Sequence, residues 1–323
     1  MFGSIKKSVK WFKTWGTLPV LPWIAAAERY KSRDFNAAKQ LYIEGLNDYQ
    51  DHPARYCALL DLAFCDFKLG HFKEAELLLR KVIKDVPRSR EASLRLAKLL
   101  SWVGDDLEAV RVLKRALGYH PQDAEIFSEL AFALVRNDGP TLLVAELKKT
   151  YQQILAENKT PKLLIAGAVL EMLGGNYREG RLALIGLAGK LEAPSEAHYF
   201  FGCELLREGK VANARVHLRN ALATNPENPQ ILSSLAESYL VPGALGNNEY
   251  ANQLALRAAQ SSGWLSPREL LTLSRSYLAS GEKSSALLIA SKAKDVSNQR
   301  IGLNINIKRI DNLIQDLSAG TIS

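Results

Sequence analysis

The sequence predicts an all-α fold, an α-solenoid superhelix of about eight helix-turn-helix repeats with a capping helix after the last repeat. Two observations predict it. Small residues recur every 34 to 37 residues along almost the whole chain, and a glycine stands a few residues before nearly every one of them. Apolar residues at helical spacing lie on both sides of each glycine, so each repeat is predicted to be a helix, a tight turn and a second helix.

Each repeat carries small residues where its two helices are expected to approach closely. In the second helix they are Ala38, Ala75, Ala109, Ala145, Gly180, Ala214, Ala251 and Ala286. In the first helix they are Ala63, Ala97, Ala131, Ala168, Gly202, Ala236 and Ser274. The turn between them needs a left-handed backbone, which suits Gly70, Gly104, Gly139, Gly175, Gly209, Gly243 and Gly281. Because two short helices cannot bury their apolar faces alone, successive repeats are expected to stack.

The repeats divide the chain into three predicted parts. Residues 1–21 form a basic amphipathic helix and a connector with two prolines, and residues 22–296 form the solenoid. Residues 297–323 form a capping helix and a tail. Solenoids need an end unit that covers the last apolar face, and this part has apolar residues near helical spacing at Ile305, Ile310, Leu313, Ile314 and Leu317.

Two segments, 90–123 and 195–228, follow a 34-residue pattern without insertion. Each has a small residue at the eighth place, glycine at the fifteenth, alanine at the twentieth and twenty-seventh, and proline at the thirty-second. On this pattern the chain resembles the tetratricopeptide repeat (TPR) proteins, of the bacterial scaffold type. The tryptophan usual at the family's fourth place is missing, and the fourth and seventh turns, NDGP and VPGALGNNEY, are lengthened. The resemblance therefore implies the fold and indicates no subfamily.

Composition predicts a soluble protein without chemistry of its own. The 323 residues are 47% hydrophobic and 24% charged, as in ordinary globular proteins, and no stretch of 18 apolar residues occurs. Cys57, Cys65 and Cys203 are an odd number, and the first two are too far apart on one helix to form a disulfide. The five histidines show no metal-ligand spacing. We therefore expect no enzymatic activity, no cofactor, no metal and no small-molecule substrate.

The resemblance implies a protein-interaction scaffold that binds a partner segment in a concave groove. In the family, the first helix of each repeat lines this groove through its second, fifth, ninth, twelfth and thirteenth places. Carried onto this sequence, these places give a mostly apolar row, typical of a binding site for an apolar or amphipathic segment. The row includes Leu60, Phe64, Phe67, Lys68, Lys98, Ser101, Trp102, Phe132, Val135, Arg136, Ile165, Val169, Met172, Tyr199, Cys203, Leu206 and Arg207.

The same residues permit a structural interpretation. An inner face that closes tightly buries its side chains against itself, and an error of one residue in a helix boundary turns a groove position into a core position. Both interpretations stay open from the sequence.

The first fifteen residues predict a short amphipathic helix. Aromatic and aliphatic residues fall on one side of it and lysines on the other, the pattern of a helix at an anionic membrane surface. The predicted membrane-surface residues are Phe2, Ile5, Lys6, Lys7, Val9, Lys10, Trp11, Phe12, Lys13 and Trp15. Two alternatives remain: the helix packs as a cap over the first repeat, or it binds a partner's groove.

The distribution of charge along the chain indicates which class of partner to expect. The net charge is +8, of which residues 1–34 hold +5, so the other 289 residues hold only +3. Such a nearly neutral body offers few cations to a phosphate backbone, which argues against nucleic acid as the partner. An RNA-binding repeat protein remains an alternative. The favoured hypothesis is a cytoplasmic adaptor, peripheral at the inner membrane if its first helix binds lipid. The resemblance suggests an envelope or polysaccharide assembly system; the alternative is a soluble adaptor or chaperone.

Overall fold

The computed structural model describes residues 21–136, 141–190, 192–299 and 306–318, and these ranges contain helices and no strands. The all-α repeat fold predicted from the sequence is therefore confirmed. The helices are α1 Leu21–Lys31, α2 Phe35–Asp48, α3 Arg55–Lys68, α4 Phe72–Asp85, α5 Arg90–Trp102, α6 Asp106–Tyr119, α7 Ala124–Arg136, α8 Thr141–Glu157, α9 Pro161–Leu173, α10 Tyr177–Ala188, α11 Ser195–Arg207, α12 Val211–Thr224, α13 Pro229–Tyr239, α14 Asn248–Ser261, α15 Pro267–Ala279, α16 Lys283–Asn298 and α17 Asn306–Ser318.

The chain divides into two compact units. Unit 1 comprises residues 1–99, with α1 to α4 and most of α5; unit 2 comprises residues 100–323, from the end of α5 to α17. The described residues contain sixteen helices from α1 to α16, the number that eight two-helix repeats require. No described helix has the length and apolar character needed to cross a lipid bilayer.

Unit 1 is built around Trp23 of α1. Its indole is 1% exposed and lies against Gly45 of α2, where a side chain would collide with the ring. Tyr49 and His52 pack edge-on against the same ring, with centroids 6.4 and 5.2 Å away. A tryptophan seated on a glycine lets α1 and α2 approach closely, which is the packing that the repeat pattern requires.

The predicted turn glycines have the predicted backbone. In the described turns, φ is between +73° and +94° at Gly70, Gly104, Gly175, Gly209, Gly243 and Gly281; Gly139 lies outside the described residues. The first repeat breaks the pattern, because Arg33 occupies the glycine place with φ +63°. A left-handed arginine costs about 1–2 kcal/mol, and Asp34 stabilises the next helix by accepting a hydrogen bond from the Ala37 amide at 3.1 Å.

The fourth repeat of the chain, α7 and α8 in unit 2, departs from regular pairing. Helix α7 packs closely against α6 and α9, whereas α8, its partner in sequence, contacts it little. Ala145, which the repeat pattern places at the close approach, is exposed, and Val144 and Leu147 are buried in its stead. The buried face of α8 therefore differs from the one that the repeat pattern predicts.

The two remaining irregular places in unit 2 follow the prediction more closely. A 3₁₀ turn at Gly243–Leu245 accommodates the extra residues of the seventh repeat, and α13 and α14 still pack together. Helix α17 packs on α16, with Ile310 fully buried and Lys294 paired with Asp311 at 2.8 Å. It therefore covers the last repeat as a capping helix.

Candidate partner-binding surface

Unit 1 carries a cluster of partly exposed aromatic rings, called here the aromatic face and defined as Tyr30, Phe35, Phe64 and Phe67. The ring of Phe64 lies 5.2 Å from Tyr30, 6.3 Å from Phe35 and 6.3 Å from Phe67, measured between centroids. All four side chains are half-buried. Because the rings pack against one another, they form a preorganised apolar surface, and contact with a partner would bury more of their apolar area.

One cation, Lys68, contacts the aromatic face, and a second, Arg33, lies near Lys68. The Lys68 ammonium lies 5.2 Å from the Phe64 ring centroid and 5.8 Å from that of Phe67, within the range of a cation–π contact. Partial burial among these rings and the nearby positive charge of Arg33 lower the pKa of Lys68. Arg33 itself is exposed at the turn between α1 and α2.

A partly buried polar network anchors α3, the helix that carries Phe64 and Phe67. Arg95 of α5 donates hydrogen bonds to the Leu60 carbonyl oxygen at 2.7 Å and to Asp61 at 3.2 Å, and it pairs with Glu91 at 2.7 Å. The Tyr42 hydroxyl donates to the second Asp61 oxygen at 3.4 Å. Burial raises the pKa of Asp61, and the charge of Arg95 opposes that effect. These bonds fix α3 against its neighbours and therefore hold Phe64 and Phe67 in place.

The predicted groove residues of unit 2 are placed differently. Six groove residues, five of them in unit 2, are buried among the chain's own side chains: Leu60, Ser101, Phe132, Ile165, Val169 and Tyr199. Phe132 and Tyr199 both pack on the Phe200 ring, at 5.0 and 5.1 Å. In this conformation these six side chains are inaccessible to a partner, because neighbouring side chains of the same chain cover them. For them the structure supports the structural interpretation.

Arg136, also predicted to line the groove, forms an internal ion pair. Its guanidinium lies 2.9 Å from Asp106 and donates to the Ser101 hydroxyl at 2.8 Å, and that hydroxyl donates to Asp106 at 2.8 Å. Burial alone would lower the pKa of Arg136, but Asp106 outweighs it and the pKa is raised. A guanidinium that is paired with a buried carboxylate and bonded to a hydroxyl has a structural role.

The turn between α5 and α6 closes the inner side of unit 2. The Trp102 indole donates a hydrogen bond to the Ser261 carbonyl at 2.7 Å, and the Gln230 amide donates to the Ser101 carbonyl at 2.7 Å. Gly104 lies directly against Ser266, without room for a side chain between them. Thus the third repeat contacts the seventh and eighth through its turn, and Trp102 is engaged by the chain itself.

The remaining predicted groove residues keep some accessibility. Phe64, Phe67, Val135, Met172, Cys203 and Leu206 are half-buried, and Lys68, Lys98 and Arg207 are exposed. Tyr30 and Phe35 belong to the surface although the sequence analysis did not select them. Counting back from Ala38 gives Tyr30 the twelfth place of the first repeat, the same place as Phe67. The glycine that marks the other turns is replaced by Arg33 in the first repeat, so the sequence analysis assigned no groove positions to that repeat.

The predicted membrane-surface residues, from Phe2 to Trp15, lie outside the described residues. Candidate catalytic groups are few in the ranges that the structure covers, where no cluster of three or more His, Cys, Asp or Glu side chains could hold a metal. Burial raises the pKa of Cys57 to about 11 and that of Cys65 to about 12, so neither thiol is a ready nucleophile. His198 and His217, 19 residues apart, contact through their Nδ1 atoms at 2.9 Å.

Comparison with known proteins agrees with this architecture. Family models of the tetratricopeptide repeat match residues 29–99, in unit 1, and 201–263, in unit 2. These two segments are tetratricopeptide repeats. Proteins with this fold serve as protein-interaction scaffolds and bind protein or peptide partners. No curated protein matches the sequence significantly.

Solved structures share the fold at low sequence identity. Yeast Tom70 has a TM-score of 0.52 at 14% identity over 90% of this chain and 60% of its own. The Cut9–Hcn1 hetero-tetramer of the APC/C has a TM-score of 0.53 at 11% identity, over 93% of this chain and 69% of its own. A monomeric IFIT1 mutant with m7Gppp-AAAA has a TM-score of 0.55 at 14% identity, over 90% of this chain and 71% of its own. At these identities the likeness concerns the fold alone.

Proposed function

We propose that the protein is a non-enzymatic scaffold that binds a segment of a partner protein on the aromatic face of unit 1. The observation that carries the proposal is the cluster of four partly exposed rings, in which Phe64 contacts the other three. At the ninth repeat place Phe64 is half-buried, whereas Phe132 and Val169 of unit 2 are buried. A partly exposed aromatic cluster on the first helices of a repeat is suited to an apolar or amphipathic segment.

Affinity capture with matched variants tests this proposal. The full-length protein, the double variant Phe64→Ser/Phe67→Ser and the control Leu77→Ser are each used as bait, and retained proteins are identified. Leu77 is 69% exposed on α4 and lies outside the aromatic face. We expect one partner to be retained by the wild type and by Leu77→Ser but lost from the double variant, which still melts cooperatively. Equal retention by all three baits would refute the proposed face.

Attachment to a membrane surface is a second proposal and concerns residues 1–15. It is supported by the sequence, in which Lys6, Lys7, Lys10 and Lys13 oppose Trp11, Phe12 and Trp15 around a helix. Flotation with liposomes containing anionic lipid tests it, comparing the full chain with a variant that begins at Leu18. Flotation of the full chain alone supports attachment. If neither floats, the segment has another role, as a cap or in a partner's groove.

A further inference from the structure

We infer that the segment bound at the aromatic face carries an acidic side chain next to its aromatic or aliphatic anchor. This inference rests on the proposed function and adds the chemistry of the partner. Lys68 lies over the Phe64 and Phe67 rings, and Arg33 is close enough for its charge to act on Lys68. Neither cation forms an ion pair with any residue that the structure describes. A carboxylate placed beside the anchor would meet two positive charges at once.

The acidic groups near the aromatic face already have partners. Asp61 receives hydrogen bonds from Arg95 and Tyr42, and Glu91 pairs with Arg95. Asp66 pairs with Lys39 at 2.7 Å and with His71 at 3.2 Å. Asp34 caps α2. The local carboxylates are therefore committed, and the charge of Arg33 and Lys68 is left for an incoming group.

Charge also disfavours the chain's own N-terminal segment as the occupant. Residues 1–20 contain four lysines and neither aspartate nor glutamate. Bringing them against Arg33 and Lys68 would place like charges together, which destabilises the contact. A partner segment that is apolar and acidic satisfies both the rings and the cations.

A single-stranded nucleic acid would also satisfy rings and cations, because bases stack on aromatic side chains and phosphates bind lysine and arginine. Two features favour the acidic peptide. The face offers two flanking cations, too few for a phosphate track, and residues 35–323 carry a net charge of only +3. The rings of the face also pack at angles of 41–85° to one another, so they form a faceted apolar surface.

A random 12-residue peptide library displayed on phage is the first probe. It is selected on immobilised full-length protein and counter-selected on Phe64→Ser/Phe67→Ser. We expect the surviving peptides to be enriched in Asp or Glu within a few residues of Phe, Trp or Leu. Peptides that depend on Phe64 and Phe67 without acidic enrichment would overturn this inference and leave the proposed function standing. If no selected peptide depends on these phenylalanines, the proposed function itself fails.

Binding measurements on one selected peptide complete the test. Its acidic residues are changed to glutamine, and fluorescence anisotropy is measured with the wild type, Arg33→Gln/Lys68→Gln and the control Lys81→Gln, an exposed lysine of α4. We expect the acidic peptide to bind about fivefold or more tightly than its glutamine form, as for two partly exposed ion pairs. Only the double variant should lose this preference.

A persistent preference in Arg33→Gln/Lys68→Gln would overturn the inference. A 15-nucleotide single-stranded RNA is measured beside the peptides. If the RNA binds more tightly than the acidic peptide and depends on Phe64 and Phe67, the face recognises nucleic acid and the inference is wrong.

Discussion

The indole nitrogen of Trp102 donates a 2.7 Å hydrogen bond to the carbonyl oxygen of Ser261, 159 residues further along the chain. It belongs to the contact by which the α5–α6 turn covers the inner side of unit 2. The turn between α14 and α15 begins at Ser262 and ends at Ser266, and both serines are fully buried. Within this turn, Gly263 and Trp264 have left-handed backbones. Consecutive left-handed residues persist only where the surroundings hold them.

Gly104→Ala tests whether this contact stabilises unit 2. The change imposes left-handed strain of about 1–2 kcal/mol and also forces a methyl group against Ser266, adding about 1–3 kcal/mol. Gly70→Ala is the matched control, because Gly70 has φ +80° with nothing within 4 Å. We expect chemical denaturation to show a larger loss for Gly104→Ala than for Gly70→Ala.

Ser266→Ala should restore part of the loss in the double variant, since the Ser266 hydroxyl is buried without a hydrogen-bond partner among the described residues. Equal losses at the two glycines would mean that the turn does not seat on Ser266 in solution.

Arg136→Met is expected to destabilise unit 2 by about 3–5 kcal/mol, because it leaves the Asp106 carboxylate buried without its cation. The control is Lys114→Met. Lys114 pairs with Glu146, and because their side chains are 55% and 64% exposed, the pair contributes less than about 1 kcal/mol to stability. Urea denaturation measures both. A small loss for Arg136→Met would indicate that Arg136 is free to contact a partner, as its groove position in the sequence suggested.

The His198–His217 contact predicts acid sensitivity. Burial lowers the pKa of both histidines in the folded chain, and the proximity of His198 lowers that of His217 further. Below a pH of about 6.5, the ordinary histidine value, the unfolded chain therefore binds more protons than the folded one, and the free energy of unfolding falls with pH. We expect Tm to fall between pH 7.5 and 5.5.

The double variant His198→Gln/His217→Gln should show a smaller fall in Tm over that range, whereas the control His120→Gln should behave as the wild type. An unchanged fall in the double variant would assign the acid sensitivity to other groups.

Much of the fold could be predicted from the sequence because local rules determine it. The places of Ala75, Ala109 and Ala214 predict buried close approaches, and the structure buries all three completely. Left-handed turns followed from glycine at Gly104 and its equivalents. Ala145 is the exception, because the buried face of α8 runs through Val144 and Leu147 instead.

The surface was less predictable, because accessibility depends on long-range packing. Phe64 and Phe132 occupy the same ninth place in their repeats, yet Phe64 is half-buried and Phe132 is 2% exposed. The difference comes from contacts such as Phe132 with Phe200, which join distant parts of the sequence. The division into two units at Leu99 and Leu100 was likewise not indicated by any change in composition.

The most direct test of the scaffold assignment compares Phe64→Ser with Phe132→Ser, two changes at one repeat place. Tm and the affinity for a captured partner or selected peptide are measured for both. We expect Phe64→Ser to weaken binding while costing about 1 kcal/mol of stability, roughly half the contribution of a fully buried phenylalanine. Phe132→Ser should cost about 3–5 kcal/mol by leaving a cavity. If Phe132→Ser abolished binding with an unchanged Tm, and Phe64→Ser left binding intact, the groove would lie in unit 2 and the account would be contradicted.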